Sequence, residues 1–145
     1  MQSFYVDTCV YLNLWKKEID AKGNALWFFA KNFLELASIN NSKIYYSGFI
    51  LKELMFLISA ESYLEKREFL ENNQLFEKII LTGEEYQKVI EIRNEFRTNC
   101  SLFDIVHIFL SKKSNSILVT QDKELISLAG EFGVVSKRPQ EIINC

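Results

Sequence analysis

Apolar residues follow two alternating rhythms along this chain. Short, nearly unbroken apolar runs lie at Phe4-Tyr5-Val6 and at residues 43–46, 78–81, 116–120 and 133–135, the pattern of strands buried on both faces. Between them run longer stretches in which apolar positions recur every three or four residues. These predict helices over about 8–20, 25–38, 48–59, 61–71, 83–98, 101–113 and 122–131, with a short helical stub opening at Pro139. Punctuation supports the divisions: Lys22-Gly23-Asn24 and Asn40-Asn41-Ser42 read as turns, and Ser47 as a helix N-cap. Strands alternating with helices predict an α/β fold, with a parallel sheet and helices on both faces. The paired helices between the second and third strands are an insertion into that alternation. In such sheets, functional side chains gather at the carboxyl ends of the strands. Asp7 and Asp122 each stand just past a predicted strand.

Length bounds the picture to one domain over residues 1–145, long enough to bury its own core. With 48% apolar and 25% charged residues, the composition is that of a soluble globular protein; one Pro and five Gly exclude a disordered or turn-rich chain. Residues 1–7 lack the basic start of a secretion leader, and the apolar stretches 49–59 and 102–110 are interrupted by Glu53 and Asp104 and too short to span a bilayer. The expectation is a cytoplasmic protein with no membrane partner. Cys9, Cys100 and Cys145 include no CxxC pair, so neither a disulfide framework nor a zinc knuckle is indicated. A net charge of −2 lacks the basic excess of proteins that bind nucleic acid by broad electrostatics. It leaves room for acids concentrated in one metal site.

Four acids occupy costly or well-placed positions. Asp7, ahead of Thr8, reads equally as a helix N-cap. Glu53 sits on a helix face with Phe49, Ile50, Phe56 and Leu57, where a carboxylate needs a partner, a raised pKa or a metal; a different buried face, or a salt bridge, is the plain alternative. Asp104 completes a capping box with Ser101, yet with His107 and Ser111 it also forms a narrow polar strip on a greasy helix. The one histidine, His107, reads as a satisfied structural residue more readily than as a ligand. Asp122 caps the next helix, or Thr120 does. Brought to one sheet edge, four carboxylates would repel by about 4 kcal/mol per close pair at an effective dielectric near 20. Mg²⁺ or Mn²⁺ would relieve that repulsion, and such a site suits phosphodiester hydrolysis.

The segments Tyr5-Val6-Asp7-Thr8, Ile50-Leu51-Lys52-Glu53-Leu54, Ser101-Leu102-Phe103-Asp104-Ile105-Val106-His107 and Leu118-Val119-Thr120-Gln121-Asp122-Lys123-Glu124-Leu125 together resemble the PIN-domain family, especially its VapC-type toxin ribonucleases. The resemblance runs through almost the whole chain. It implies a three-layer α/β/α sandwich with a central parallel sheet of about five strands. It also implies an acidic, catalytic metal site of Asp7, Glu53, Asp104 and Asp122, supported by the hydroxyls of Thr8 and Thr120. In that reading Asp7, Asp104 and Asp122 hold one metal, while Glu53 binds a second or positions water. The implied activity is Mg²⁺- or Mn²⁺-dependent endonucleolytic cleavage of RNA by the toxin of a type II toxin–antitoxin pair, a homodimer held by a small antitoxin. Cys9 departs from the pattern: many relatives carry Asn there, and a thiol is a weaker hydrogen-bond donor than an amide.

Two other readings stay open. One is a PIN-like module that binds RNA or protein with little or no catalysis. The other is an α/β phosphohydrolase of small esters, which the lack of a Gly-rich phosphate loop disfavours. Lys16-Lys17, Lys112-Lys113 and Lys137-Arg138 form either a phosphate-binding rim or ordinary solvated surface. The aromatics Trp15, Trp27, Phe28 and Phe29 are expected in the core or, where exposed, at a dimer or antitoxin contact.

Overall fold

The computed structural model describes residues 2–95 and 100–144. Along the chain these form β1 (Ser3–Val6), α1 (Thr8–Trp15), α2 (Leu26–Ile39), β2 (Lys43–Tyr46), α3 (Gly48–Leu57), α4 (Ala60–Asn72), β3 (Phe76–Lys78), α5 (Gly83–Glu95), α6 (Leu102–Lys113), β4 (Ile117–Val119), α7 (Lys123–Glu131), β5 (Ser136–Lys137) and α8 (Pro139–Ile143). The predicted continuation of α5 over 96–98 lies outside the described residues, as do Arg97 and Cys145.

All five strands are parallel, in the order β3-β2-β1-β4-β5, and helices flank the sheet. The chain builds outward from β1 to β2 and β3, then crosses back to lay β4 and β5 on the other side. The order therefore reverses between β1 and β4, and parallel sheets of this kind open a crevice at the carboxyl ends of the strands that flank such a reversal. In the register, Tyr5 lies beside Leu118 and Val6 beside Val119; the Asp7 N–H then donates to the Val119 carbonyl at 2.9 Å. Asp7 is thus the last residue locked into the ladder before the chain turns into α1.

Phe4, Tyr5 and Val6 are buried in the middle of the sheet, with Ile44, Leu118 and Val119 beside them. Phe33 of α2 meets Phe4 edge to face, with ring centroids 5.0 Å apart. Ile50 and Leu54 of α3, Ile105 and Leu110 of α6 and Leu125 of α7 complete the core, each fully or almost fully buried. Side chains of this size each contribute about 1.5–3 kcal/mol on burial, so the sheet edge that carries the acids rests on a stiff base.

Three element boundaries differ from the sequence expectation, each for a local reason. The first helix was expected to reach about Asp20 but stops at Trp15. Lys17 takes φ 50°, and the N–H groups of Lys17 and Glu18 return to the carbonyls of Leu14 and Asn13, a left-handed helix stop made without the Gly that usually announces it. The last strand forms at Ser136–Lys137 instead of 133–135, because Gly133 (φ 72°) and Val134 are used up closing α7 on the carbonyls of Gly130 and Ala129. The third strand is Phe76–Lys78 instead of 78–81. As an edge strand it takes its register from β2, which puts Phe76 beside Ile44, and Ile80 is left 67% exposed.

Candidate metal centre

Three strand ends and two helices converge on the carboxyl edge at the reversal between β1 and β4. Asp7, just past β1, is 8% exposed. Its Oδ1 accepts from the Thr8 N–H at 2.8 Å, as a helix cap would, while Oδ2 accepts from the Thr120 hydroxyl at 2.8 Å and the Cys9 thiol at 3.1 Å. Capping and site roles therefore coexist in one carboxylate. Thr120, just past β4, also accepts the Asp122 N–H at 3.0 Å. Its hydroxyl thereby connects the first acid to the backbone of the last.

Glu53 reaches the same edge from α3. That helix buries Ile50, Leu51 and Leu54, and leaves Phe56 73% and Leu57 49% exposed. The expected apolar surround of Phe56 and Leu57 is therefore absent; Glu53 sits at the border of the buried face. Its Oε1 accepts from the Thr8 hydroxyl at 2.9 Å and from His107 Nε2 at 2.6 Å. Its partner is an imidazole, not the Lys or Arg that a salt bridge would ordinarily supply.

His107 is 1% exposed, and both ring nitrogens are bonded: Nε2 to Glu53, Nδ1 to the Tyr5 hydroxyl at 2.8 Å. Tyr5 in turn meets Ser47 Oγ at 2.7 Å. A carboxylate only accepts, so Nε2 carries the proton toward Glu53. Burial opposes a charge on this imidazole, but the bond to Glu53 and the fields of Asp7, Glu53 and Asp104 outweigh it and raise its pKa above the ordinary histidine range. Burial likewise pushes the Tyr5 phenol and the Cys9 thiol well up, the latter with help from the charge of Asp7. Cys9 is therefore a protonated donor.

Asp104 makes the predicted capping box with Ser101, receiving the Ser101 N–H at 3.4 Å while the Ser101 hydroxyl accepts the Asp104 N–H at 3.2 Å. It lines a hollow between α6 and α7 with Cys100, Glu124, Leu125 and Leu128. Burial raises its carboxyl pKa against the pull of the Ser101 N–H, and the charge of Asp7 adds to the rise. The polar strip of α6 thus turns inward, with His107 and Ser111 buried.

Among the described residues, the acidic, thiol and imidazole groups that converge closely enough to hold one ion are Asp7, Glu53 and His107, with ligand atoms within 4.8 Å of one another. Asp104 stands outside that group, though within the electrostatic reach of Asp7. Asp122 is exposed and caps α7, accepting from the N–H groups of Glu124 and Leu125. Sequence reasoning placed Thr8 and Thr120 beside the acids, where they lie, but passed over Tyr5 and gave Ser47 only its cap, which it also makes. The available signal was a phenol in a buried strand, which needs a partner. Lys112 and Lys113 lie about 12 Å along α6 from Asp104, with Lys113 bound to Glu85 at 2.8 Å, and do not rim the site.

A family model described as PIN domain matches residues 4–131. Solved structures share the fold. VapBC2 from Rickettsia felis, bound to a DNA fragment from its promoter, aligns at TM-score 0.67 and 16% identity over 94% of this chain and 98% of that one. FitAcB from Neisseria gonorrhoeae aligns at TM-score 0.59 and 14% identity, again over 94% and 98%. PAE2754 from Pyrobaculum aerophilum aligns at TM-score 0.52 and 14% identity over 98% and 94%. Comparison with curated proteins gave no match. The family match runs from the first strand to the end of α7, the span that brings Asp7, Glu53 and Thr120 to one sheet edge, and the chain belongs to the PIN-domain family.

Proposed function

We propose that this chain is a divalent-metal-dependent endoribonuclease and the toxin of a type II toxin–antitoxin pair. The observation that carries the reading is the meeting of Asp7 and Glu53 at the sheet's point of reversal, with Asp104 close enough to feel the charge of Asp7. Among the described residues no Lys or Arg forms a salt bridge with Asp7, Glu53 or Asp104, and His107 pairs only with Glu53; a hard cation is a partner the remaining carboxylate oxygens fit. Mg²⁺ or Mn²⁺ would be held by Asp7, Asp104 and Glu53, with Asp122 joining from the start of α7. Such an ion lowers the pKa of water and stabilises charge on a phosphodiester oxygen.

The chain's own groups prepare that site. Thr8, Cys9 and Thr120 aim hydrogen bonds at Asp7 and fix its rotamer. Thr8 also spans to Glu53, so the first acid and the second are oriented by neighbouring parts of one turn. Such preorganisation spares reorganisation when substrate binds. Met55, Phe56 and Leu57 on α3, with Leu64 on α4, leave apolar surface uncovered, which suits contact with a small antitoxin or a second copy. Phe28, 46% exposed on α2, extends the same expectation to another face.

A second reading is a PIN domain that binds RNA without cutting it. The exposed, cap-bound Asp122 and the thiol at Cys9 favour it. A mixed single-stranded RNA pool incubated with wild type and Asp104→Asn, in Mn²⁺ and in EDTA, separates the two. Cleavage by wild type alone, lost in EDTA, is the expected result. Intact RNA in every arm, with RNA bound, would establish the second reading.

A further inference from the structure

Behind the carboxylates runs a buried chain of hydrogen bonds that four-acid chemistry does not require: Ser47 Oγ to Tyr5 OH at 2.7 Å, Tyr5 OH to His107 Nδ1 at 2.8 Å, and His107 Nε2 to Glu53 Oε1 at 2.6 Å. We propose that His107, anchored by Tyr5 and Ser47, is a positioning residue that holds the Glu53 carboxylate in its cation-binding orientation. The inference rests on the metal-site reading above and adds to it a residue outside the acidic set.

The geometry has three parts. Both Glu53 bonds, from Thr8 and from His107, fall on Oε1, so Oε2 is the oxygen they leave uncommitted. Glu53 is on α3, whose outer face is exposed. A long carboxylate there has several rotamers, and fixing one costs entropy that a prior hydrogen bond removes from the binding step. His107 can do this because it is itself immobile: it is 1% exposed, tied at both nitrogens, and flanked by the rings of Tyr5 and Phe103. The tie at Nδ1 comes from β1 and the end of β2, the rigid base of the site. Partners of this kind are commonly worth about 10- to 100-fold in metal affinity.

Because Nε2 donates to Glu53, His107 acts through that residue and not as a ligand. The alternative, in which Nε2 leaves Glu53 and binds the cation directly, makes a different prediction. Direct ligation puts an imidazole nitrogen on the metal, visible as nitrogen coupling in pulsed electron paramagnetic resonance of bound Mn²⁺.

The test is Mn²⁺ titration of the full chain by calorimetry, with wild type, His107→Leu, His107→Gln and Tyr5→Phe, each checked for folding by circular dichroism. The expected result is Mn²⁺ binding weakened about 10- to 100-fold in His107→Leu. His107→Gln, whose amide can still donate to Glu53, is expected to recover most of the loss. In cleavage assays the Mn²⁺ concentration for half-maximal rate rises in His107→Leu, while the rate at saturating Mn²⁺ changes much less. If His107→Leu does not fold, Tyr5→Phe carries the test, since it frees His107 without touching Glu53, and a several-fold loss of affinity is expected. Unchanged affinity in the folded variants overturns the inference while leaving the metal site intact, and so does nitrogen coupling from His107 on bound Mn²⁺. Absence of Mn²⁺ binding by wild type overturns the metal-site reading and this inference together.

Discussion

The Thr120 hydroxyl donates to Asp7 Oδ2 at 2.8 Å while accepting the Asp122 N–H at 3.0 Å. One fully buried side chain thereby couples the ends of two strands, β1 and β4, that are neighbours in the sheet but 113 positions apart in sequence. Thr120→Val keeps the shape of the side chain and removes both bonds. Leaving a buried carboxylate oxygen and a backbone N–H without this partner is expected to cost about 1–3 kcal/mol of stability, measured by urea denaturation. Cleavage and Mn²⁺ affinity should fall together, because Asp7 loses the donor that aims it. Thr120→Ser, which retains the hydroxyl, should lose less of both; an equal loss would show that packing of the methyl group matters as much as the hydroxyl's two bonds.

Asp104→Asn is expected to stabilise the metal-free protein slightly while disabling it. Burial and the charge of Asp7 raise the Asp104 pKa, so its ionised form costs the fold stability at neutral pH. Asparagine removes that charge, and its side-chain oxygen still accepts the Ser101 N–H of the capping box. In EDTA the melting temperature of Asp104→Asn should exceed wild type by about 1–3 °C. Millimolar Mn²⁺ should reverse the ranking, since a ligand that binds the native state stabilises it by RT ln(1 + [L]/Kd). A variant that melts below wild type in EDTA would show that the carboxylate is structural.

The strand end at Asp7 and the caps at Ser101 and Asp122 were legible because their signals are local. Asp7 past Phe4-Tyr5-Val6, Ser101 with Asp104, and Asp122 past Leu118-Val119-Thr120 lie within a few residues of the strand ends and caps that hold them. The alternation of strands and helices gave the parallel sheet for the same reason. The bond between His107 and Glu53 spans 54 positions and that between Tyr5 and His107 spans 102; no periodicity carries such a pairing. The face of α3 stayed open between two readings because its residues are apolar nearly all round, and only tertiary packing chose Ile50, Leu51 and Leu54 for the core. The short β3 and β5 slipped because backbone pairing with β2 and β4, not apolar content, set their limits.

Cys9 is expected to be chemically quiet in the native protein. Burial first, and then the negative charge of Asp7, hold its thiol well above the ordinary cysteine range, and alkylation requires the thiolate. Iodoacetamide at pH 8 followed by mass spectrometry should find Cys9 unlabelled in native protein and labelled in urea. Cys9→Ala removes one of three donors to Asp7 and should cost about 0.5–1.5 kcal/mol, whereas Cys9→Ser should stay close to wild type. Rapid native labelling would mean that the α1 turn opens far more readily than its hydrogen bonds suggest.

The metal-free fold should lose stability as pH rises through two separate windows. Histidine titrates ordinarily near about pH 6.5, and His107 in the fold is raised above that, burial being outweighed by the bond to Glu53 and the charges of Asp7, Glu53 and Asp104. Between its unfolded and folded pKa values the native state therefore holds more proton than the unfolded chain, and stability falls as pH rises. The contribution is fully present below about pH 6.5 and is gone above the raised folded value. Asp104 acts in the same sense at lower pH: its ionised form is disfavoured in the fold, so its cost grows from the ordinary carboxylate range, about pH 4, up to its raised native value. Urea denaturation of wild type and His107→Gln in EDTA from about pH 3.5 to 9 follows both. The variant should lack the decline that begins near neutrality and keep the acidic one. Parallel curves for the two proteins would place the neutral-range titration on a group other than His107.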